Sequence, residues 1–235
     1  EMSELRNVIR PTIGIITNIG GAHQENFTSM QDKCMEKLQL FKDCDVVIYN
    51  GDNELISKCV SKSLFSAREI AWSTKDVERP LYIESIKKND DHTDIKYRYL
   101  GFFKEYRIPF IDDASIENSI NCLAAALYLM VTPEEIAERM LTLEPVAMRL
   151  EVKEGKNGCV LINDSYNSDF ASLDIALDFM ARRAEKKGKK RTLILSDILE
   201  SGQTGKLLYR QISELVQSRG VDKIIGVGPE ISEYS

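Results

Sequence analysis

A four-residue apolar run that empties into small and polar residues limits this chain to few architectures. Ile13-Gly14-Ile15-Ile16 is followed by Thr17-Asn18-Ile19-Gly20-Gly21-Ala22-His23. Such a run reads as a buried strand ending in a loop at its carboxyl end, the place where open α/β sheets keep their ligands. Beyond the loop, Ser29 and Asp32 stand at capping-box spacing, with Asp where Glu or Gln is usual. A helix is predicted to start there and to carry Lys37 on its third turn, with His23 at its mouth. Spacing alone leaves two readings: a site made by His23 and Lys37, or a loop histidine beside a solvated helix lysine.

The totals narrow the class. A chain of 235 residues with 43% hydrophobic and 29% charged residues buries one sizeable core or two modest ones, and two are expected. No apolar run approaches the ~20 residues that span a bilayer. The charged start Glu1-Met2-Ser3-Glu4 resembles neither a signal nor a transit peptide, so a cytoplasmic protein is predicted. Cys34, Cys44, Cys59, Cys122 and Cys159 form no CxxC pair, which argues against a disulfide framework and a zinc site; they read as reduced core thiols. A net charge of −6 argues against a general nucleic-acid binder. The one basic cluster, Lys186 to Arg191, reads as a helix end with Gly188 at the C-cap, or else as cations beside an anionic substrate.

In order, residues 1 to 11 are expected to run without a cap straight to Pro11, as in a chain cut from something longer. Asp45 to Tyr49 is a predicted strand ending in Asn50-Gly51-Asp52-Asn53, a turn that contains an N-cap for a helix over Glu54 to Leu64. Glu69 to Trp72 is the next short strand. From Leu81 to Phe110 the pattern turns β-rich, with segments 81–86, 95–99 and 102–108 predicted as an antiparallel meander at the sheet edge. His92, in the turn after Asp90 and Asp91, reads as a plain surface residue.

Ser115 to Met130 is helical by pattern, and Asn118 and Asn121, three apart, are expected to share a face near its amino end. Thr132-Pro133-Glu134-Glu135 opens a second helix that Pro145 stops. Pro145 is the expected domain boundary. Beyond it, strands over 148–152, 159–162, 192–195 and 223–227 alternate with helices over 169–187 and 207–219. The second strand of this region ends in Asn163-Asp164-Ser165-Tyr166-Asn167-Ser168, a polar knot at a ligand-facing edge. Asp164 there suits a ribose diol or an N-cap, and Ser168 or Asp169 supplies the cap equally well.

These motifs accumulate into a resemblance. The order P-x-I-G-I-I-T-N-I-G-x-A-H, E-K-L-x-L-F, N-G-D-N, N-x-x-N-x-L-A-A-A, M-R-L-E and N-D-S-Y-N-S resembles the muramoyl peptide ligases of peptidoglycan synthesis. D-S-Y-N followed by S-D-I-L-E-S-G is similar to the branch that adds D-alanyl-D-alanine. The resemblance implies an α/β fold in two parts. Residues 1–145 are expected to be the later part of a central ATP-binding domain, a mostly parallel sheet with an antiparallel edge meander. Residues 146–235 are expected to be a Rossmann-like C-terminal domain. It also implies an ATP- and Mg²⁺-dependent ligase acting on a UDP-N-acetylmuramoyl-tripeptide and D-alanyl-D-alanine through an acyl phosphate.

Position by position, the resemblance makes His23 and a carbamylated Lys37 ligands of Mg²⁺, since a lysine ammonium has no lone pair to offer a metal. Asn118 and Asn121 match an adenine-recognising pair, Arg149 an arginine near the nucleotide phosphates, and Asp164 a ribose ligand completed by Tyr166 and Asn167. Three departures stand out. No G-x-x-x-x-G-K-[ST] occurs, since Gly202-Gln203-Thr204-Gly205-Lys206-Leu207 has the wrong spacing, so the phosphate loop and the UDP-binding domain are expected elsewhere and the fragment alone is expected to be inactive. Glu117 and Ser115 replace a usual His and Gly. Tyr209 replaces a His found in many members. Competing readings are a ligase with another acceptor, such as a folate polyglutamylating enzyme, and a non-catalytic nucleotide-binding module. Some members are fused to an alanine racemase, of which these residues show no trace.

Overall fold

The computed structural model describes residues 1–20, 27–63, 66–144, 150–166, 169–185, 188–198 and 204–234. The chain divides into two compact units, Glu1–Ile19 with Ser29–Glu144 and Gly20–Thr28 with Pro145–Ser235. The expected boundary residue, Pro145, lies outside the described residues.

In the first unit β1 (Ile13–Ile16), β2 (Val46–Asn50), β3 (Arg68–Ser73), β4 (Leu81–Lys88), β5 (Thr93–Tyr99) and β6 (Phe102–Ile108) form one sheet in that order. Pairing is parallel from β1 to β4 and antiparallel from β4 to β6. The period-2 alternation of β2 explains why it is buried on both faces. Val46 and Ile48 join a core with α4 (Asp113–Tyr128) and α5 (Pro133–Leu141), whereas Val47 and Tyr49 join a core with α2 (Met30–Leu38) and α3 (Glu54–Lys62). The meander faces a core on one side only. Ile83, Ile95, Tyr97, Tyr106 and Ile108 pack inward while Phe102 and Phe103 are exposed.

The predicted caps are in place. Ser29 Oγ accepts Asp32 N–H at 3.0 Å, Asn53 Oδ1 accepts Ile56 N–H at 3.1 Å and Thr132 Oγ1 accepts Glu135 N–H at 3.3 Å. Each such cap stabilises its helix by about 1 kcal/mol. At α4 the cap is Asp112, whose Oδ1 accepts Ser115 N–H at 2.7 Å, so the helix starts before the predicted Ser115. Gly14 lets Phe41 close on β1, because a Cβ there would lie 2.7 Å from Phe41 Cγ.

Two expectations are corrected. Residues 1 to 11 are not an irregular lead-in: Met2–Ile9 forms α1, ending at Arg10 in the left-handed region (φ 48°). No residue of α1 is buried and Glu1 makes no side-chain cap bond, so the usual signals were missing. Polar contacts hold the helix instead, Met2 N–H to Glu36 at 3.1 Å and Arg6 to Asp43 at 3.3 Å. Nor are all the thiols in cores. Cys34, Cys44 and Cys59 are buried, but Cys122 and Cys159 are exposed, the first on the outward side of α4.

In the second unit β7 (Glu151–Glu154) pairs antiparallel with β8 (Val160–Asn163), and β9 (Thr192–Ser196) pairs parallel with β10 (Lys223–Val227). The connection from β9 to β10 runs through α7 (Gly205–Ser218), the βαβ arrangement that parallel strands require. Leu173 and Leu177 of α6 (Phe170–Glu185) pack with Leu195, Leu208, Ile212, Val216 and Ile231, the last on α8 (Pro229–Tyr234). Arg219 joins the end of α7 to α6 through Asp174 at 2.6 Å and Asp178 at 3.0 Å.

Candidate functional site

The carboxyl ends of β2 and β3 gather the polar groups of the first unit. Gly51 N–H donates to Trp72 C=O at 2.7 Å, and a Cβ on Gly51 would stand only 3.0 Å from that oxygen. Asp52 accepts the backbone N–H and the hydroxyl of Thr74, both at 2.7 Å, and the hydroxyl of Ser73. Burial pushes the Asp52 carboxyl up, but the bonds from Ser73 and Thr74 outweigh it and hold the group below the ordinary carboxylate range. Ser73, itself buried, accepts Lys75 N–H and Asp76 N–H at 2.9 and 2.8 Å, which closes the turn after β3.

The amino half of α4 lies against this edge. Glu117 accepts Asn50 Nδ2–H at 3.1 Å, and Asn121 Oδ1 accepts Trp72 Nε1–H at 2.8 Å. Indole is a donor only, so this bond fixes the Asn121 amide with its oxygen toward Trp72. Asn121 Nδ2 is buried with no hydrogen-bond partner among the described residues. Asn118 is exposed whereas Asn121 is only 2% exposed, so the two amides expected to share a face differ in burial. Three residues turn a helix by about 300°, which leaves the two side chains about 60° apart, one at the solvent side and the other in the core.

Lys37 lies in the last turn of α2 and is exposed. One turn before it Lys33 is 3% exposed, a buried cation that sequence reasoning missed. The signal was its neighbourhood, since Cys34 beside it belongs to the apolar seam of the helix. His23 lies outside the described residues, and so do Arg149 and Asn167.

In the second unit Asp164 Oδ1 accepts Leu150 N–H at 3.1 Å, just beyond the end of β8. The cap of α6 is Asp169, which accepts Ser172 N–H at 2.9 Å, so Asp164 is not spent on capping. Ser165 Oγ–H donates to Asn163 Oδ1 at 2.8 Å and Tyr166 is exposed. A further acid, Asp197 after β9, lies in the S-D-I-L-E-S-G motif but was given no role from the sequence. It accepts Ile231 N–H at 2.8 Å and Tyr209 O–H at 3.4 Å. Gly228 (φ 135°) makes room for it, since a Cβ there would lie 2.4 Å from Asp197 Cγ. A groove of about 560 Å³ between β6 and α5, lined by Phe103, Lys104 and Pro133, includes none of these residues.

A mostly parallel sheet that collects amides, carboxylates and hydroxyls at its carboxyl edge defines an α/β protein with a polar edge where sheets of this kind commonly hold ligands. Residues 1–126 match the family model described as the Mur ligase middle domain, and the chain belongs to the Mur ligase family. A UDP-N-acetylmuramoyl-tripeptide–D-alanyl-D-alanine ligase of Bacillus subtilis is 26% identical over 97% of this chain and 48% of its own length. The protein of the same name from Borreliella burgdorferi is 30% identical over 98% of this chain and 48% of its own length. The chain thus spans about half the length of these relatives. Among solved structures, a MurF from Acinetobacter baumannii shares the fold at TM-score 0.81 and 18% identity, covering 100% of this chain and 50% of that one. The MurF ligase of Thermotoga maritima, crystallised with ADP, matches at TM-score 0.78 and 15% identity over 98% of this chain and 52% of that one. Among the described residues no helix is long and apolar enough to cross a membrane.

Proposed function

We propose that the whole protein is an ATP-dependent amide-bond ligase that adds D-alanyl-D-alanine to a UDP-N-acetylmuramoyl-tripeptide in peptidoglycan synthesis. The observation that carries this reading is that relatives named for this one reaction align over 97% and 98% of the chain. The reaction has two steps. A terminal carboxylate oxygen of the tripeptide attacks the γ-phosphorus of ATP, the bond to the β-phosphate breaks and ADP leaves. The amine of D-alanyl-D-alanine then attacks the acyl carbon of the resulting acyl phosphate, loses a proton and expels phosphate. Both steps place charge on phosphoryl oxygens, so positioning and electrostatics do most of the catalytic work.

What supports a nucleotide at the first unit's edge is a pair of amides on α4. Asn121 carries a buried donor with no partner among the described residues, suited to a purine ring nitrogen, and Asn118 offers a second, exposed amide. Asp164, Tyr166 and Asn167 are assigned to the ribose side and Arg149 to the phosphates. His23 and a carbamylated Lys37 would hold Mg²⁺, and the exposure of Lys37 leaves room for the added carboxylate. Among the described residues no group of three His, Cys, Asp or Glu side chains is gathered for a metal. Mg²⁺ keeps waters and phosphate oxygens and needs few protein ligands. Bound there, it would neutralise charge on the transferring phosphoryl group.

The test is a ligation assay of the whole protein with ATP, Mg²⁺ and two substrate pairs, the muramoyl tripeptide with D-alanyl-D-alanine and a folate with glutamate. Product from the first pair alone is expected. Product from the folate pair would favour the second reading, whose fold is shared by the L. casei FPGS structure at TM-score 0.64. No product with either pair would leave a non-catalytic nucleotide-binding module.

A further inference from the structure

Glu117 stands where the family pattern carries a His, and the functional reading above leaves it without a role. Its carboxylate accepts Asn50 Nδ2–H at 3.1 Å, and Asn50 Oδ1 accepts Asp52 N–H at 3.0 Å. Asp52 in turn is bound by Ser73 and Thr74. One chain of hydrogen bonds therefore runs from the amino half of α4 through the turn after β2 to the end of β3. Its direction is fixed, because an ionised carboxylate only accepts and Asn50 must donate. Asn118, the next residue of α4, is exposed.

We propose that Glu117 is a positioning residue for the nucleotide: clamped by Asn50, it fixes the amino half of α4 on the sheet edge and so sets where the Asn118 amide is presented. The inference rests on the nucleotide reading of that edge. A hydrogen bond between partly buried groups holds its partners in register whether the acceptor is a carboxylate or an amide oxygen, and binding groups must be held to a fraction of an ångström to be effective. Sequence alone could not show the clamp, since its two residues are 67 positions apart.

The experiment compares the whole protein with Glu117→Gln, Asn50→Asp and the double variant, reading ADP affinity by calorimetry and amide hydrogen exchange over residues 113–121. Glu117→Gln keeps an acceptor for Asn50 and is expected to bind ADP within about twofold of the unaltered protein. Asn50→Asp keeps the acceptor for Asp52 N–H but sets two carboxylates face to face. It is expected to bind about tenfold more weakly, the order of one charge-assisted hydrogen bond, and to exchange faster at the start of α4. The double variant restores the pair with donor and acceptor exchanged and is expected to recover both readouts. Unchanged affinity and exchange in Asn50→Asp, or no recovery in the double variant, overturns the clamp. A large loss in Glu117→Gln alone overturns it in favour of a direct role for the charge. Failure of the unaltered protein to bind ADP overturns the nucleotide reading and the positioning role with it, while exchange alone still decides whether the clamp exists.

Discussion

Asn121 of α4 accepts the indole N–H of Trp72, at the end of β3, at 2.8 Å, and both side chains are buried. The bond ties α4 to the sheet edge and points the amide nitrogen of Asn121 away from the indole. Trp72→Phe removes the donor and leaves the Asn121 oxygen unsatisfied, which is expected to cost about 1–3 kcal/mol in urea unfolding followed by circular dichroism. Trp72 is the only tryptophan of these 235 residues, and the emission that the whole protein loses in Trp72→Phe reports this edge. That difference in emission is expected to change on titration with ADP, and a flat difference would show that the nucleotide does not reach Asn121.

Gly51→Ala tests the close approach of the two strand ends. A Cβ would meet the Trp72 carbonyl at 3.0 Å and Ala71 Cβ at 3.3 Å, across a hydrogen bond of 2.7 Å. Neither neighbour is the free end of a flexible side chain, so a loss of about 1–3 kcal/mol is expected, as for other overpacked sites. It would appear as a lower urea midpoint with an unchanged slope.

Asp52 gives the edge a pH signature. Its carboxyl is held below the ordinary range in the folded protein, burial opposing and the bonds from Ser73 and Thr74 prevailing. A group depressed on folding contributes stability that is complete above its unfolded pKa, about 3.9, and is lost as pH falls through the folded value. Asp52→Asn is therefore expected to be less stable than the unaltered protein at pH 7, with the gap closing below about pH 4. Unfolding midpoints measured from pH 3 to 7 check this.

Lys37 separates folding from chemistry. It is exposed, so Lys37→Ala is expected to change stability by less than about 0.5 kcal/mol. Loss of ligation in the same variant, with ADP affinity measured beside it, is the expected outcome if Lys37 carries the metal-binding carboxylate. Full activity in Lys37→Ala would remove Lys37 from the site.

The elements that were legible in the sequence are those with local signals. The apolar run at Ile13, the caps at Ser29, Asn53 and Thr132, and the alternation of the meander each lie within a few residues of the structure they specify. What was not legible depends on distant partners. Helix α1 is held by Glu36 and Asp43 and shows no side-chain N-cap bond or buried residue of its own. Asn121 became a core residue because Trp72, 49 positions away, supplies its hydrogen bond. Asp197 owes its place to Ile231, in a helix 34 positions later. The family resemblance named residues to watch, but the different surroundings of Asn118 and Asn121 follow from packing that a motif does not encode.

Oxygen transfer tests the proposed chemistry most directly. A tripeptide labelled with ¹⁸O in its terminal carboxylate is incubated with the whole protein, ATP, Mg²⁺ and D-alanyl-D-alanine, and the released phosphate is analysed by mass. The acyl phosphate route predicts that one labelled oxygen passes into each phosphate formed with product. Unlabelled phosphate alongside product would contradict it.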